Sequence, residues 1–378
     1  MRAGYFFIPT LMFIANLYLY NWIVRWVQPA AGVRRGVLLG FILLIALFPV
    51  SRVWAAHDFN ALNRFLTLVA ASWLGFSFLL FLCAAGTDLA RMFLRLTGLP
   101  QGISPLRVLS YRRGLAAGGM MVCLAMGGYG FWEARQVEVT RVEIPLRNLT
   151  PGLDGLTIVH LSDVHYGMLH ENGRLGEMVR RVNDLRPDLV VFTGDLVDAA
   201  VSHMEEMALP LSRLRARQGV FAVIGNHEVF AGLARAEAIL REAGIRVLRN
   251  EVEVLPGGLQ VLGIDDPRVA GQGQPLPDFD GLVKRLDPGK PSILLYHQPV
   301  RFEEASEAGV GLQLSGHLHG PQLWPMIPLV RIFYPRMEGL FEENGGYLYI
   351  SRGVGTGGPP MRLGSPPEIV HITLRSPK

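Results

Sequence analysis

The sequence predicts two parts of different fold class: an all-α bundle of about four transmembrane helices over residues 1–135, then a layered α/β (α+β) sandwich over residues 136–378. Half of the 378 residues are hydrophobic and only 18% are charged, a balance that suits a membrane part joined to a soluble part. Long apolar segments without charge concentrate before residue 135. After it, short apolar runs alternate with stretches of helical periodicity, as expected of a sheet covered by helices.

Four segments predict the membrane bundle. Residues 5–24 carry no charge and would form a helix about 30 Å long, enough to cross the hydrocarbon core. Residues 65–86 and 114–132 are also uncharged. Residues 36–50 are the weakest candidate, because spanning length requires the helix to continue past Arg52 while that side chain snorkels. A buried core helix or a re-entrant segment is the alternative there.

The arginines predict the orientation of the bundle, because short cytoplasmic loops are enriched in Lys and Arg. One set of loops carries eight arginines: Arg25, Arg34, Arg35, Arg91, Arg95, Arg107, Arg112 and Arg113. The other side carries four: Arg2, Arg52, Arg64 and Arg135. We therefore expect the C-terminal part on the outer, extracytoplasmic face. The formal net charge of +4 is explained by such loops, and we expect no nucleic-acid partner.

The C-terminal part is predicted to be a succession of short strands and amphipathic helices. Strands are expected near residues 137–146, 156–161, 189–192, 220–224, 246–255, 259–264, 293–296, 312–314, 347–350 and 369–374. Helices are expected at residues 175–185, 202–216 and 233–243. About 240 residues of this kind can bury one substantial core.

Polar side chains follow several of these apolar runs, and they are candidate metal ligands. They are Asp163, His165, Asp195, Asn226, His297, His317 and His319. Donors at the carboxyl ends of strands meet at one edge of an α/β sheet, so we expect them to converge. Oxygen and imidazole ligands without thiolate favour Mn²⁺, Fe or Zn²⁺. Both cysteines, Cys83 and Cys123, lie in the apolar part and offer no ligand here.

The donor set is large enough for two divalent ions. A carboxylate such as Asp195 can bridge two ions about 3.5–4 Å apart, and the Asn226 amide adds a ligand without adding charge. Each residue alone has a plainer explanation: His297 could be a core histidine, and Asp195 and Asn226 could be turn residues. The final histidine pair alone could bind a single zinc. All the blocks together favour a two-metal hydrolytic site.

The blocks that carry these residues read LSDVHYG, GD, GNHE, YHQP and SGHLHGPQ, and over roughly residues 155–375 the chain resembles the calcineurin-like metallophosphoesterase family. The resemblance implies a sandwich of that type. It implies a first ion bound by Asp163, His165, Asp195 and His319, and a second bound by Asp195, Asn226, His297 and His317. His227 is implied to contact the phosphate and protonate the leaving oxygen, which gives a catalytic set of His227, Asp195 and Asn226.

The spans and the C-terminal segment resemble a bacterial membrane-associated branch of that family, which implies the inner membrane. We expect a membrane-anchored dimetal phosphoesterase that hydrolyses phosphoester or pyrophosphate bonds by metal-bound hydroxide. Expected partners are the lipid bilayer and a phosphorylated small-molecule or lipid substrate, lipid-linked or nucleotide. One alternative is a UDP-2,3-diacylglucosamine pyrophosphatase of lipid A biosynthesis with a cytoplasmic active site. The other is a non-enzymatic membrane sensor or scaffold that binds phosphorylated ligands.

Two features near the C-terminus have competing interpretations. Residues 323–334 are densely apolar and directly follow the last metal motif. They could form a lid or ridge that touches lipid, with Arg331 and Arg336 near headgroup phosphate, or a loop buried against the sheet. Arg362 could contact an anion, although a structural salt bridge is the plainer expectation.

Overall fold

The computed structural model describes residues 2–58, 60–97, 105–167, 172–198 and 202–377; for residues 2–9, 105–108 and 172 it describes the backbone alone. The chain divides into two compact units, here called the helical unit and the α/β unit. The helical unit comprises Met1–Trp54, Asn60–Trp132 and Gly358–Met361, and the α/β unit comprises Ala55–Phe59, Glu133–Gly357 and Arg362–Lys378.

Four long helices form the N-terminal region: α1 (Arg2–Val27), α2 (Ala31–His57), α3 (Ala61–Leu96) and α4 (Pro105–Glu133). Among the described residues, three helical stretches are long and apolar enough to cross a membrane: Ala31–His57, Ala61–Leu96 and Leu109–Glu133. The weak candidate at residues 36–50 therefore continues past Arg52. The remaining predicted span is residues 5–24, and the side chains of its first residues, 5–9, lie outside the described part of the structure.

A polar cluster joins α1 to α3. The carboxylate of Asp88 accepts hydrogen bonds from the Tyr18 hydroxyl at 2.8 Å and from the Trp26 indole at 2.7 Å. The Arg25 guanidinium lies 2.7 Å from the same carboxylate. Because these donors share one acceptor group, the pairing of the two helices is fixed in register as well as by apolar packing.

The described residues of the α/β unit form two six-stranded sheets. The strands are β1 (Glu138–Pro145), β2 (Thr157–Leu161), β3 (Leu189–Phe192), β4 (Val220–Ala222), β5 (Arg246–Val247), β6 (Glu251–Val254), β7 (Gln260–Ile264), β8 (Ser292–Tyr296), β9 (Leu312–Ser315), β10 (Gly339–Glu343), β11 (Gly346–Ile350) and β12 (Glu368–Arg375). The first sheet has the order β1-β12-β2-β3-β4-β5, and the second has the order β10-β11-β9-β8-β7-β6. The central strands β2, β3 and β4 are parallel, as are β7, β8 and β9.

The two sheets pack face to face, because the strands are apolar on both faces and must bury both. The inter-sheet core includes Ile158, Val191, Phe221, Val261, Ile293 and Leu314. The outer faces are covered by helices α5 (Asn172–Asp184), α6 (Ala208–Leu211), α7 (Asn226–Glu242), α8 (Phe279–Val283) and α9 (Phe302–Glu307); α10 (Ile327–Val330) follows β9. The predicted layered α/β sandwich is confirmed.

Three local predictions differ from the structure. The helix expected at residues 202–216 is instead a 3₁₀ turn, Met204–Met207, followed by the single turn of α6. Pro210 lacks an N–H, which limits propagation of a regular helix. Helix α7 begins earlier than expected, at Asn226, and kinks at Gly232, where φ is +105°. Strand β10 was not predicted, because its residues are only half-buried or exposed.

Candidate metal centre

The predicted ligands lie in loops that follow strands of both sheets. From the first sheet, Asp163 and His165 follow β2, Asp195 follows β3, and Asn226 opens α7 after β4. From the second sheet, His297 follows β8, and His317 and His319 follow β9. The parallel strands end at a common edge, and the packing of the sheets brings the two sets of loops together. The structure thus places all seven side chains in one cluster.

Five of these residues have a left-handed backbone. The φ angles are +52° at Asp163, +50° at His165, +54° at Asp195, +74° at His317 and +56° at His319. Non-glycine residues adopt this region at an energetic cost, and such residues are concentrated at functional sites. Here the conformation turns each side chain back towards the cluster instead of continuing the strand.

Backbone hydrogen bonds hold these turns in place. The Asp163 N–H donates to the Gly194 carbonyl at 3.1 Å, and the His165 N–H donates to the Asp195 carbonyl at 3.0 Å. Gly225 allows the close approach of the adjacent loop, because a Cβ at this position would collide with the Asp195 carboxylate. The loops after β2, β3 and β4 therefore support one another.

A first group of ligand atoms comes from Asp163, His165 and His319, and these atoms all lie within 4.8 Å of one another. The two imidazole Nε2 atoms of His165 and His319 are 3.0 Å apart. His319 Nε2 lies 3.5 Å from Asp163 Oδ1. A carboxylate oxygen and two imidazole nitrogens thus converge from both sheets.

A second group surrounds His297 Nε2. This atom lies 3.1 Å from Asp195 Oδ2, 3.1 Å from Asn226 Oδ1 and 3.1 Å from His317 Nδ1. The other ring nitrogen of His297 is 2.7 Å from the Thr193 carbonyl, which fixes the ring orientation. A backbone carbonyl is a common hydrogen-bond partner for the second ring nitrogen of a metal-binding histidine.

Asp195 connects the two groups. Besides belonging to the second group, it offers an oxygen within 4.8 Å of ligand atoms of His165 and His227. His165 in turn belongs to the first group. Asp195 is therefore the carboxylate that can contact ions bound on either side.

The cluster fits divalent cations. Ligand atoms bound to one ion at about 2.0–2.2 Å are about 3 Å apart when they bind at right angles, and the contacts between ligand atoms here are of that size. Two imidazole nitrogens that face each other can both give their lone pairs to a cation, whereas a hydrogen bond between them uses only one lone pair. The described residues therefore supply a divalent metal site of oxygen and nitrogen donors.

Comparison with known proteins agrees with this geometry. Residues 156–321 match the family model described as calcineurin-like phosphoesterase. An uncharacterized metallophosphoesterase of Aquifex aeolicus is 36% identical over 260 residues, covering 68% of this chain and 98% of that protein. The chain belongs to the calcineurin-like phosphoesterase family. It is accordingly a metal-dependent phosphoric ester hydrolase.

Two vertebrate relatives of this phosphoesterase match almost its whole length. A Bos taurus protein named transmembrane protein with metallophosphoesterase domain is 29% identical, covering 98% of this chain and 88% of that protein. The Danio rerio protein of the same name is 30% identical with the same coverage. Together with the three apolar helices, these relatives support membrane association.

His227 lies beside the predicted metal ligands of the phosphoesterase. Its Nδ1 donates to the Asp198 carbonyl at 2.5 Å, and its Nε2 lies 4.0 Å from Asp195 Oδ2. The side chain is 23% exposed, so one face is open to a bound molecule. The Asp198 carboxylate lies 3.6 Å from His227 Nδ1 and 3.7 Å from His165 Nδ1. Asp198 was not singled out in the sequence, although its position three residues after Asp195 was a possible signal.

Glu228 is a second residue whose role the sequence did not indicate. It is fully buried, and its carboxylate accepts backbone N–H groups of Asp195 at 2.9 Å, Val197 at 3.2 Å and Gly225 at 2.8 Å. Burial raises the pKa of this carboxyl to about 7, and the Asp195 charge adds to the effect. Glu228 ties the first turn of α7 to the loop after β3, so it positions Asp195 between the two ligand groups.

Arg362 forms backbone contacts that the sequence did not predict. It is fully buried, and it donates to the backbone carbonyls of Gly355 at 3.0 Å, Ser365 at 2.9 Å and Arg352 at 2.7 Å. A further bond of 3.2 Å reaches the His319 carbonyl. Within the described ranges it forms no ion pair, so the expected salt bridge is wrong. Arg362 instead closes the C-terminal loop onto the His319 turn.

Charges in the cluster separate the histidines into two classes. Burial opposes the charged form of His297, yet the nearby Asp195 carboxylate raises its pKa to about 10. Burial lowers the pKa of His317 to about 3, and the charge of His297 contributes. Burial also holds the pKa of His319 well below its usual value, with a contribution from His165. In the metal-free protein at neutral pH, His317 and His319 are neutral and ready to bind, whereas His297 carries a proton.

When His297 binds a metal ion at pH 7, it should therefore release roughly one proton. Because that proton must leave, apparent metal affinity should rise as pH increases from 7 towards 10. Calorimetric titration of the metal-free protein with Mn²⁺ or Zn²⁺ in buffers of different ionisation enthalpy measures the release. A heat of binding that does not depend on the buffer would contradict this account of the site.

Replacing Asp195 by Asn should lower metal affinity by roughly 100-fold or more, because the amide removes the negative charge and one oxygen ligand. Elemental analysis of the dialysed protein measures the metal that is retained. The matched control is Asp287→Asn, whose side chain is half exposed. Equal metal retention by the two variants would show that Asp195 is not a ligand.

Proposed function

We propose that this chain is a membrane-anchored phosphoesterase that uses two divalent ions to hydrolyse phosphoester or pyrophosphate bonds of lipid-linked or nucleotide compounds. The observation that carries the proposal is the position of Asp195 between two groups of ligand atoms. The donor chemistry favours Mn²⁺, Fe or Zn²⁺. When bound, the ions would neutralise the phosphoryl oxygens and lower the pKa of a coordinated water.

The side chains around the ions have distinct tasks. Asn226 Oδ1 points to the second group and supplies a neutral oxygen, so that group gains a ligand without further negative charge. His227 keeps its Nδ1 proton on the Asp198 carbonyl, which leaves Nε2 to face the substrate. In its charged form, His227 can donate a proton from Nε2 to the leaving oxygen. Burial lowers the pKa of His227 below its usual value, and the carboxylates of Asp195 and Asp198 offset part of that shift by favouring the charged form.

The complete ligand set favours an enzyme over a membrane sensor or scaffold built on the same fold. A protein that only binds phosphorylated ligands has no need to hold a proton donor beside the metal ligands. Here His227 is both hydrogen-bonded in a fixed orientation and partly exposed. The sensor interpretation would gain support only from a metal-loaded protein without turnover.

The catalytic test is hydrolysis of bis(p-nitrophenyl) phosphate and p-nitrophenyl phosphate by the full chain, with and without Mn²⁺. Turnover should require the metal. His227→Gln should lower kcat by roughly 10²–10⁴-fold while metal content is unchanged, because it removes a proton donor and not a ligand. The control is His371→Gln, on β12.

Two results would count against this assignment. Loss of metal from His227→Gln would make His227 a ligand, a role that its distance from His165 and Asp195 allows. Absence of turnover on both esters and on a panel of nucleotide and lipid pyrophosphates, in protein with full metal content, would leave the binding interpretation.

Topology separates the leading proposal from its nearest rival. We propose that the α/β unit faces the outside of a bacterial inner membrane, as the arginine distribution favours. A UDP-2,3-diacylglucosamine pyrophosphatase of lipid A biosynthesis would need the opposite orientation, because its nucleotide-linked substrate is cytoplasmic.

Reporter fusions after Val137 test the orientation. Alkaline phosphatase, which is active only outside the cytoplasm, should be active at this site, and a fluorescent reporter that fails to mature outside should be dark. The reversed pattern would contradict the outward orientation and favour the lipid A role.

A further inference from the structure

Residues 324–334, here called the apolar segment, expose large hydrophobic side chains. Trp324 is 59% exposed, Leu329 54%, Ile332 72% and Phe333 73%. The loop buried against the sheet, one of the two interpretations of the sequence, is therefore wrong. Contiguous exposed side chains of this size mark an interaction surface more often than a plain protein surface.

The apolar segment is held firmly at both ends. Leu323 pairs with Leu363, and the Trp324 N–H donates to the Leu363 carbonyl at 2.7 Å. Beyond the other end, Arg336 forms ion pairs with Glu303 and Glu343. Between these anchors, a 3₁₀ turn (Trp324–Met326) and α10 give the segment a defined backbone. Ile332 and Phe333 lie in the turn that follows α10, where their N–H groups donate to the carbonyls of Leu329 and Val330.

The apolar segment lies beside the metal centre. It begins five residues after His319 in the chain. At its far end, the Tyr334 ring lies 6.4 Å from the ring of the metal ligand His317, in an edge-to-face arrangement. A surface that touches the segment is therefore next to the reacting groups.

The charge of this surface defines its partner. Arg331 is exposed, and in the part of the chain that the structure describes it forms no ion pair. The sequence from 323 to 337 contains no acidic residue. Trp and aliphatic side chains around an unpaired arginine match the interface of a bilayer, where indole rings lie at headgroup level and guanidinium groups bind phosphate. Among the residues that the structure describes, the same chain carries three helices apolar enough to cross a membrane.

We propose that the apolar segment inserts into the surface of a bilayer containing anionic phospholipid, with Arg331 on a lipid phosphate. A second part of this inference rests on the proposed function: the site then acts on phosphoesters whose apolar part stays in the bilayer. The segment would hold the acyl chains while Tyr334 and His317 border the phosphate. The substrate class is a membrane-resident phosphate or pyrophosphate lipid.

Quenching of Trp324 fluorescence tests the insertion, whatever the enzyme hydrolyses. The full chain is placed in nanodiscs of phosphatidylcholine and phosphatidylglycerol, with and without brominated phosphatidylcholine. The Trp324 signal is the difference between wild type and Trp324→Phe, and most of it should be quenched. A control chain combines Trp324→Phe with Leu209→Trp, because Leu209 is 66% exposed elsewhere on the α/β unit. The signal added by Leu209→Trp, taken as the difference from Trp324→Phe alone, should stay unquenched. An unquenched Trp324 would overturn the proposal.

Kinetics test the link to substrate. The probes are methyl p-nitrophenyl phosphate and hexadecyl p-nitrophenyl phosphate, the latter dissolved in the nanodisc. Combined Ile332→Ser and Phe333→Ser should raise KM for the hexadecyl ester by roughly tenfold or more and leave the methyl ester unaffected. The control, Leu209→Ser with Leu276→Ser, removes two equally exposed leucines and should change neither.

The outcomes separate the two proposals. Equal effects of Ile332→Ser and Phe333→Ser on both esters would contradict the role in substrate binding, even if the enzyme is active. Failure to hydrolyse either ester would count against phosphodiester hydrolysis, while the quenching result would still decide whether the segment enters the bilayer.

Discussion

The Asp195 carboxylate receives contacts from both sheets of the α/β unit, and the metal centre depends on this connection. Its Oδ1 accepts the His227 N–H at 2.8 Å from the first sheet's side, and its Oδ2 lies 3.1 Å from His297 Nε2 on the second sheet's side. A parallel link joins the sheets at Asp163, which accepts the His317 N–H at 3.0 Å. If the sheets slid by one residue, each ligand group would lose its members from the other sheet.

The surrounding structure offsets the unfavourable free energy of assembling this cluster of ligands. Several acidic and imidazole groups are buried together, and five of them have left-handed backbones. Buried charge and backbone strain both oppose folding. The opposing contributions come from buried groups that bind backbone atoms: Glu228 accepts three N–H groups around Asp195, and Arg362 donates to carbonyls around His319. These residues would keep the ligands close before any ion is bound, so metal binding would not have to order the loops.

The sequence allowed the strands and the ligand types to be predicted, because apolar runs and the polar residues that end them are local signals. The prediction of a helix at residues 202–216 was wrong because Pro210 limits a regular helix despite the apolar periodicity. Strand β10 was missed because its two faces differ little in burial. The positioning roles of Asp198, Glu228 and Arg362 depend on which distant backbone groups fold against them. Periodicity carries no information about such contacts. It also does not reveal that Ile332 and Phe333 are exposed, which only the packed structure shows.

The central claim is that Asp195 lies between two ions. It is tested most directly by electron paramagnetic resonance of the full chain saturated with Mn²⁺. Two Mn²⁺ ions bridged by one carboxylate, about 3.5–4 Å apart, should give the spectrum of an exchange-coupled pair. A spectrum of isolated Mn²⁺, or saturation at one ion for each chain, would contradict the account.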